Sequence, residues 1–145
     1  MRFGIVVAQW NSTITKALLK GALTLLKKQG IPDKNIIVKQ VPGSFELPLA
    51  AQLVEESNHP DAVICIGCVI QGETPHFDYI CNAVSEGIMN LNLKYSKPFV
   101  FGVLTCNTRQ QAIDRSGGIM GNKGEDAALT AISMVALKQE LSQKK

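Results

Sequence analysis

The chain is short of several things. No apolar run approaches the roughly 20 residues that a bilayer-spanning helix needs. The opening MRFGIVVAQW is too brief for a signal-peptide core and is followed by no small-residue cleavage site, so a cytoplasmic location is expected. Only two histidines occur, His59 and His76, and no HExxH, Ser-His-Asp or Cys-His arrangement can be drawn. The GxGxxG and P-loop signatures are missing as well. A net charge of +3 is too small for the clustered basic face of a nucleic-acid binder, although a small anion needs only one or two cations. Cysteines are few: Cys65, Cys68, Cys81 and Cys106. The first two form a CxxC, but they lie in the strand-like AVICIGCV, where a spacing of three sends side chains to opposite faces. No second pair with ligand spacing accompanies them, so they read as small buried residues in a reducing compartment, with no metal.

What is present is regular. The 145 residues suit one domain spanning 1–145. RFGIVVA (2–8) is a continuous β-rich run, the pattern of a strand covered on both faces. Ser12 or Thr13 can cap a helix whose stripe is Ala17, Leu18, Ala22, Leu25 and Leu26, stopped by Gly30 and Pro32. Strands follow at 35–41, 61–70 and 97–105. Between them lie helices at 45–57, with Pro48 in its first turn, and from Thr74 (N-cap) and Pro75 (N1), with inner stripe Phe77, Ile80, Cys81, Val84 and Ile88. A short helix at 108–115, a glycine-rich turn SGGIMGNKG and a final helix capped by Asn122 complete the chain. The final stripe is Ala127, Ala131, Met134, Val135 and Ala136. Alternation of strands and helices predicts a three-layer α-β-α sandwich around a four-stranded parallel sheet, and the expected strand order is the flavodoxin-like 2-1-3-4.

In such folds ligands sit beyond the carboxyl ends of the strands. Those ends are Gln9-Trp10-Asn11, residues 42–46, Val69 through His76, and Thr105-Cys106-Asn107. The QGETPH loop offers free N–H groups and a positive helix end, suited to phosphate, though the same residues serve equally as a capped turn. Its positive end favours the neutral imidazole of His76, which could then act as a base; a surface histidine with no role is the plainer reading. His59, in SNHPD, reads as solvated. Trp10 and Phe45 follow the first two strands, where aromatics either lid the core or stack on a flat heterocycle; their shared location favours stacking. Glu46 suits the helix dipole or ligand hydroxyls. Arg115 and Lys123 flank the glycine-rich turn as surface charges or, for the arginine especially, phosphate ligands. Ser44 has no nucleophile-elbow context.

Several segments, in order and with matching spacing, resemble one family: QWN at 9–11, VPGSFELPLAA at 41–51, GCVIQGETPHFDYIC at 67–81, PFVFGVLT at 98–105 and AIDRSGGIMGNKGEDAAL at 112–129. Nearly the whole chain resembles the 6,7-dimethyl-8-ribityllumazine synthases. The resemblance implies condensation of 5-amino-6-(D-ribitylamino)uracil with 3,4-dihydroxy-2-butanone 4-phosphate, the penultimate step of riboflavin biosynthesis, with no cofactor or metal. By motif it implies that His76 transfers protons and that Trp10 stacks on the pyrimidine, where most relatives have phenylalanine. Asn11, Ser44, Phe45 and Glu46 would line the ribityl pocket, and Val69 and Ile70 would meet the pyrimidine edge through backbone groups. Glu73 and Thr74 would cradle phosphate, Glu73 standing where a small residue is common and therefore turned to solvent. Arg115 would grip the phosphate, with Phe101 and Lys123 bordering the site, these three donated across the interface of a homopentamer.

The turn at 116–122 lacks the insertion associated with isolated pentamers, which is compatible with paired pentamers or a 60-subunit shell. The start so close to the first core strand lacks the preceding segment that often adds a strand to a neighbour, and the shell stays open. Two alternatives share the architecture: an archaeal-type riboflavin synthase, and a non-catalytic flavin-binding or shell-forming paralogue.

Overall fold

In a computed structural model, in which residues 1–143 are described, the chain forms a layered α/β fold. Two strands run through its middle: β1 (Phe3–Ala8), buried throughout, and β3 (Ala62–Ile70), buried but for its last two residues. This is the burial that an unbroken apolar run requires. β2 (Ile36–Val41) and β4 (Phe99–Cys106) flank them, giving the parallel order β2-β1-β3-β4. Lys39 and Gln40 are tolerated because β2 is an edge.

Helices α1 (Ser12–Lys28), α4 (Arg109–Arg115) and α5 (Lys123–Gln143) cover one face, and α2 (Leu47–Asn58) and α3 (His76–Tyr95) the other. On the first face Phe3, Ile5, Ile64 and Ile66 pack against Leu18, Ala22, Leu26, Ala128 and Ala131. On the second, Val6, Val63 and Cys65 meet Leu47, Ala51, Val84 and Ile88. Cys65 and Cys68 thus lie on opposite faces, as a spacing of three in a strand dictates, and all four cysteines are free thiols. Among the described residues no helix is long and apolar enough to cross a membrane.

α1 and α5 meet closely because Gly124 has no side chain. A Cβ there would collide with the Leu18 carbonyl, its carbon only 2.6 Å away. Asn122 fixes the approach: its Oδ1 accepts from Gly124 N at 2.8 Å and its Nδ2 donates to Ala17 O at 3.0 Å, with the carboxamide lying over Gly21. At the amino end of the sheet, the buried Glu55 carboxylate receives Lys97 Nζ at 2.6 and 2.7 Å.

Several local expectations are corrected. α1 is not capped by the Ser12 or Thr13 hydroxyl. Asn11 takes the N-cap position in the left-handed region (φ 59°) without a side-chain cap bond, because its carboxamide bonds elsewhere. α2 is preceded by a 3-10 turn, Ser44–Glu46. α3 begins at His76 rather than at Pro75, although Thr74 Oγ1 still accepts from His76 N at 3.4 Å. Phe77 does not anchor α3 in the core; it is half-buried, and the inner stripe is Val84, Ile88 and Leu91. Met134 and Ala136 are exposed, and Ala128 takes their place in the α5 stripe. The glycine-rich segment is a small antiparallel hairpin, β5 (Ser116–Gly118) with β6 (Gly121–Asn122). Glycines at 117 and 121 supply the positive φ values it needs.

Candidate functional site

The carboxyl rim of the sheet is held open by backbone pairing that continues past the strands. Gln9 N donates to Val41 O, Trp10 N to Pro42 O and Gln71 N to Cys106 O. Asn11 ties β1 to β3 by donating from Nδ2 to Cys68 O at 2.9 Å. Its left-handed backbone, a conformation asparagine tolerates better than most residues, turns the chain sharply into α1 and leaves Trp10 outside the core, 75% exposed. Phe45 is 58% exposed on the opposite side. The turn carrying it sits low on the rim because Gly67 lacks a Cβ; one would come within 2.5 Å of Ser44 Oγ.

The result is a cleft of about 680 Å³ lined by Trp10, Asn11, Gly43, Ser44, Phe45, Glu46, Cys68, Val69, Ile70, His76, Ile80 and Arg109. Two aromatic faces, an apolar floor and a few polar groups make it suited to a flat ligand with a polar arm. Glu46 Oε2 accepts from Gly43 N at 3.0 Å, which fixes the carboxylate and leaves its other oxygen available. His76 stands exposed at the start of α3. Burial pushes the Cys68 thiol up to about 12, Cys106 adding to the effect and the Arg109 charge opposing it. Such a thiol is not a nucleophile at neutral pH.

The fold therefore gathers Trp10, Asn11, Ser44, Phe45, Glu46, Val69, Ile70 and His76. It does not bring in the others. Glu73 and Thr74 are exposed on the loop before α3, outside the cleft. Phe101, Arg115 and Lys123 line a second groove, about 740 Å³, between α3 and α5 over the outer side of β4. There Arg115 donates to Gln111 O at 3.1 Å and Lys123 pairs with Asp126 at 2.8 Å. Sequence reasoning missed Arg109, Ile80 and Cys68 in the cleft wall. Arg109 had a readable signal: it follows the Thr108 cap, whose Oγ1 accepts from Gln111 N, only three residues beyond the end of β4.

Residues 1–139 match the family model for 6,7-dimethyl-8-ribityllumazine synthase. The chain belongs to that family. A relative of the same name from Cytophaga hutchinsonii is 60% identical over 134 residues, covering 92% of this chain and 84% of the relative. One from Parabacteroides distasonis is 56% identical over 135 residues, covering 93% and 84%. One from Bacteroides fragilis is 53% identical over 135 residues, covering 93% and 94%. The lumazine synthase match takes in every strand, the cleft and the second groove alike.

Proposed function

We propose that the protein condenses 5-amino-6-(D-ribitylamino)uracil with 3,4-dihydroxy-2-butanone 4-phosphate to 6,7-dimethyl-8-ribityllumazine, releasing phosphate and water. The observation that carries this reading is the cleft itself, which sets an exposed tryptophan beside Ser44, Glu46 and His76 in a chain of the lumazine synthase family. Trp10 stacks on the pyrimidine, while Ser44, Phe45 and Glu46, together with Asn11, receive the ribityl chain. Backbone groups of Val69 and Ile70 meet the ring. The amine attacks the ketone and an imine forms with loss of water. Phosphate then leaves, the enol tautomerises, and the second amine closes the ring, releasing a second water. The protein supplies no covalent nucleophile, so alignment of the two reactants carries much of the acceleration. His76 carries protons between amine, enol and leaving group.

The phosphate lies beside Glu73 and Thr74 and is gripped by Arg115. In one chain Arg115, Phe101 and Lys123 face a different groove, so each site takes these three from a neighbouring copy in a homopentamer. Exposed apolar side chains support such burial: Leu49 and Leu53 on α2, Met89 and Leu93 on α3, and Leu129, Leu137 and Leu141 on α5. The protein works in the cytoplasm, in keeping with its free thiols.

Incubation with the two substrates tests the activity. Growth of lumazine absorbance is expected; no lumazine, but riboflavin from added lumazine, overturns the reading. Particle mass in solution tests the assembly, and a monomer at micromolar concentration refutes it.

A further inference from the structure

The charged side chains of the cleft divide by flank. Glu46, at the start of α2, stands on one side of the rim, and Arg109, in the first turn of α4, on the other. His76 and Ile80 join the Glu46 side through α3, whereas Arg109 shares its side with Cys68, whose carbonyl holds Asn11 next to Trp10. Arg109 is also the uncommitted cation of the three near the sites. Lys123 is paired with Asp126 and Arg115 bonds Gln111 O, but no carboxylate pairs with Arg109 among the described residues. Its position is poor for stability, since a cation in the first turn opposes the helix dipole.

We infer that Arg109 is a specificity-determining residue that reads the carbonyl edge of the pyrimidine stacked on Trp10. The inference rests on the proposed activity and adds to it. A guanidinium presents a planar fork of donors and accepts nothing, so it selects a ring edge rich in carbonyl acceptors. Glu46 across the cleft accepts from hydroxyls. The two together orient a ligand with a polyol at one end and a dioxopyrimidine at the other, and they reject the reversed pose. The phosphate loop lies outside this cleft, so Arg109 acts on the ring rather than on the phosphorylated ketone.

Steady-state kinetics of wild type, Arg109→Gln and Arg109→Lys test this, with each substrate varied in turn. Removing a charge-assisted contact is expected to raise KM for the ribitylaminopyrimidine roughly tenfold or more, leaving KM for the phosphorylated ketone within about twofold. Arg109→Lys should recover only part, because an ammonium lacks the planar fork. A ribityl-bearing analogue lacking one ring carbonyl adds a second readout: wild type should discriminate against it, and Arg109→Gln should not. A rise confined to the ketone KM, or unchanged KM for both, overturns the inference while the activity stands. Absence of lumazine formation by wild type instead overturns the activity. Urea midpoints of the variants equal to or above wild type separate the effect from misfolding.

Discussion

Replacing Gly124 with alanine sets two effects of opposite sign against each other. Helix propensity alone favours alanine by about 1 kcal/mol. Sterics oppose it, because the new Cβ would strike the Leu18 carbonyl group, with its carbon at 2.6 Å and Asn122 Oδ1 at 2.9 Å. Both belong to groups that cannot rotate away: one is helix backbone, and the other is held by hydrogen bonds to Gly124 N and Ala17 O. Moving the carbonyl carbon from 2.6 Å to an ordinary 3.4 Å parts α1 from α5 by at least about 0.8 Å, the carbonyl oxygen being nearer still. Overpacking of this kind costs about 1–3 kcal/mol, and losing the Asn122–Ala17 bond adds about 1 kcal/mol. After the propensity gain, a net loss of about 1–3 kcal/mol remains, a sizeable part of the 5–15 kcal/mol typical of a domain. Urea unfolding followed by far-ultraviolet circular dichroism, at one protein concentration for both proteins, should show the midpoint falling by about 0.5–1.5 M for a slope near 2 kcal/mol/M. Gly30→Ala is the control: it has positive φ but open space around it, so it should cost about 1 kcal/mol through backbone strain alone. An unchanged or raised midpoint for Gly124→Ala would refute the account of the α1–α5 contact.

Three further outcomes are expected. Substituting His76 with alanine should lower kcat by about 10²–10⁴-fold yet leave measurable turnover from positioning; an unchanged kcat and pH profile removes it as the proton carrier. In Arg115→Gln, KM for the phosphorylated ketone should rise roughly tenfold or more while the affinity for a pyrimidine analogue holds; equal losses in both contradict the phosphate role. Burial pushes the Cys65 thiol up to about 12 from an ordinary 9.0, so the unfolded chain releases this proton first as pH rises. Its contribution to stability is complete below pH 9 and is lost toward pH 12; the urea midpoint should fall between pH 8 and 10 more steeply in wild type than in Cys65→Ala, and parallel slopes would count against it.

β1, β3 and the long helices were legible in the sequence because burial on two faces, or on one stripe, leaves a periodic trace. Alternation and crossover rules give a parallel sheet covered on both faces, whereas its strand order rests on long-range pairing that no local pattern encodes. The hairpin at 116–122 was not legible, since its glycines specify backbone angles rather than an apolar period. Asn11 lines the cleft as its position at the end of β1 suggests, whereas its bond to Cys68 O joins residues 57 apart, a contact no local pattern encodes. The same holds for the grouping of site residues. Trp10, Ser44, Glu46 and His76 converge because parallel strands end together. Phe101, Arg115 and Lys123 belong to the outer side of β4, and spacing along the chain says nothing about which copy of a molecule a side chain serves. Arg109 escapes the pattern because the strand-end segment read from the sequence stops at Asn107, two residues short.

Trp10 is the sole tryptophan of the chain, and it projects from the cleft into water. Its emission consequently carries one location's signal, undiluted by indoles elsewhere. A ring stacking on it should quench that light and shift its colour, so titrating either substrate alone gives a direct optical record of which binds first.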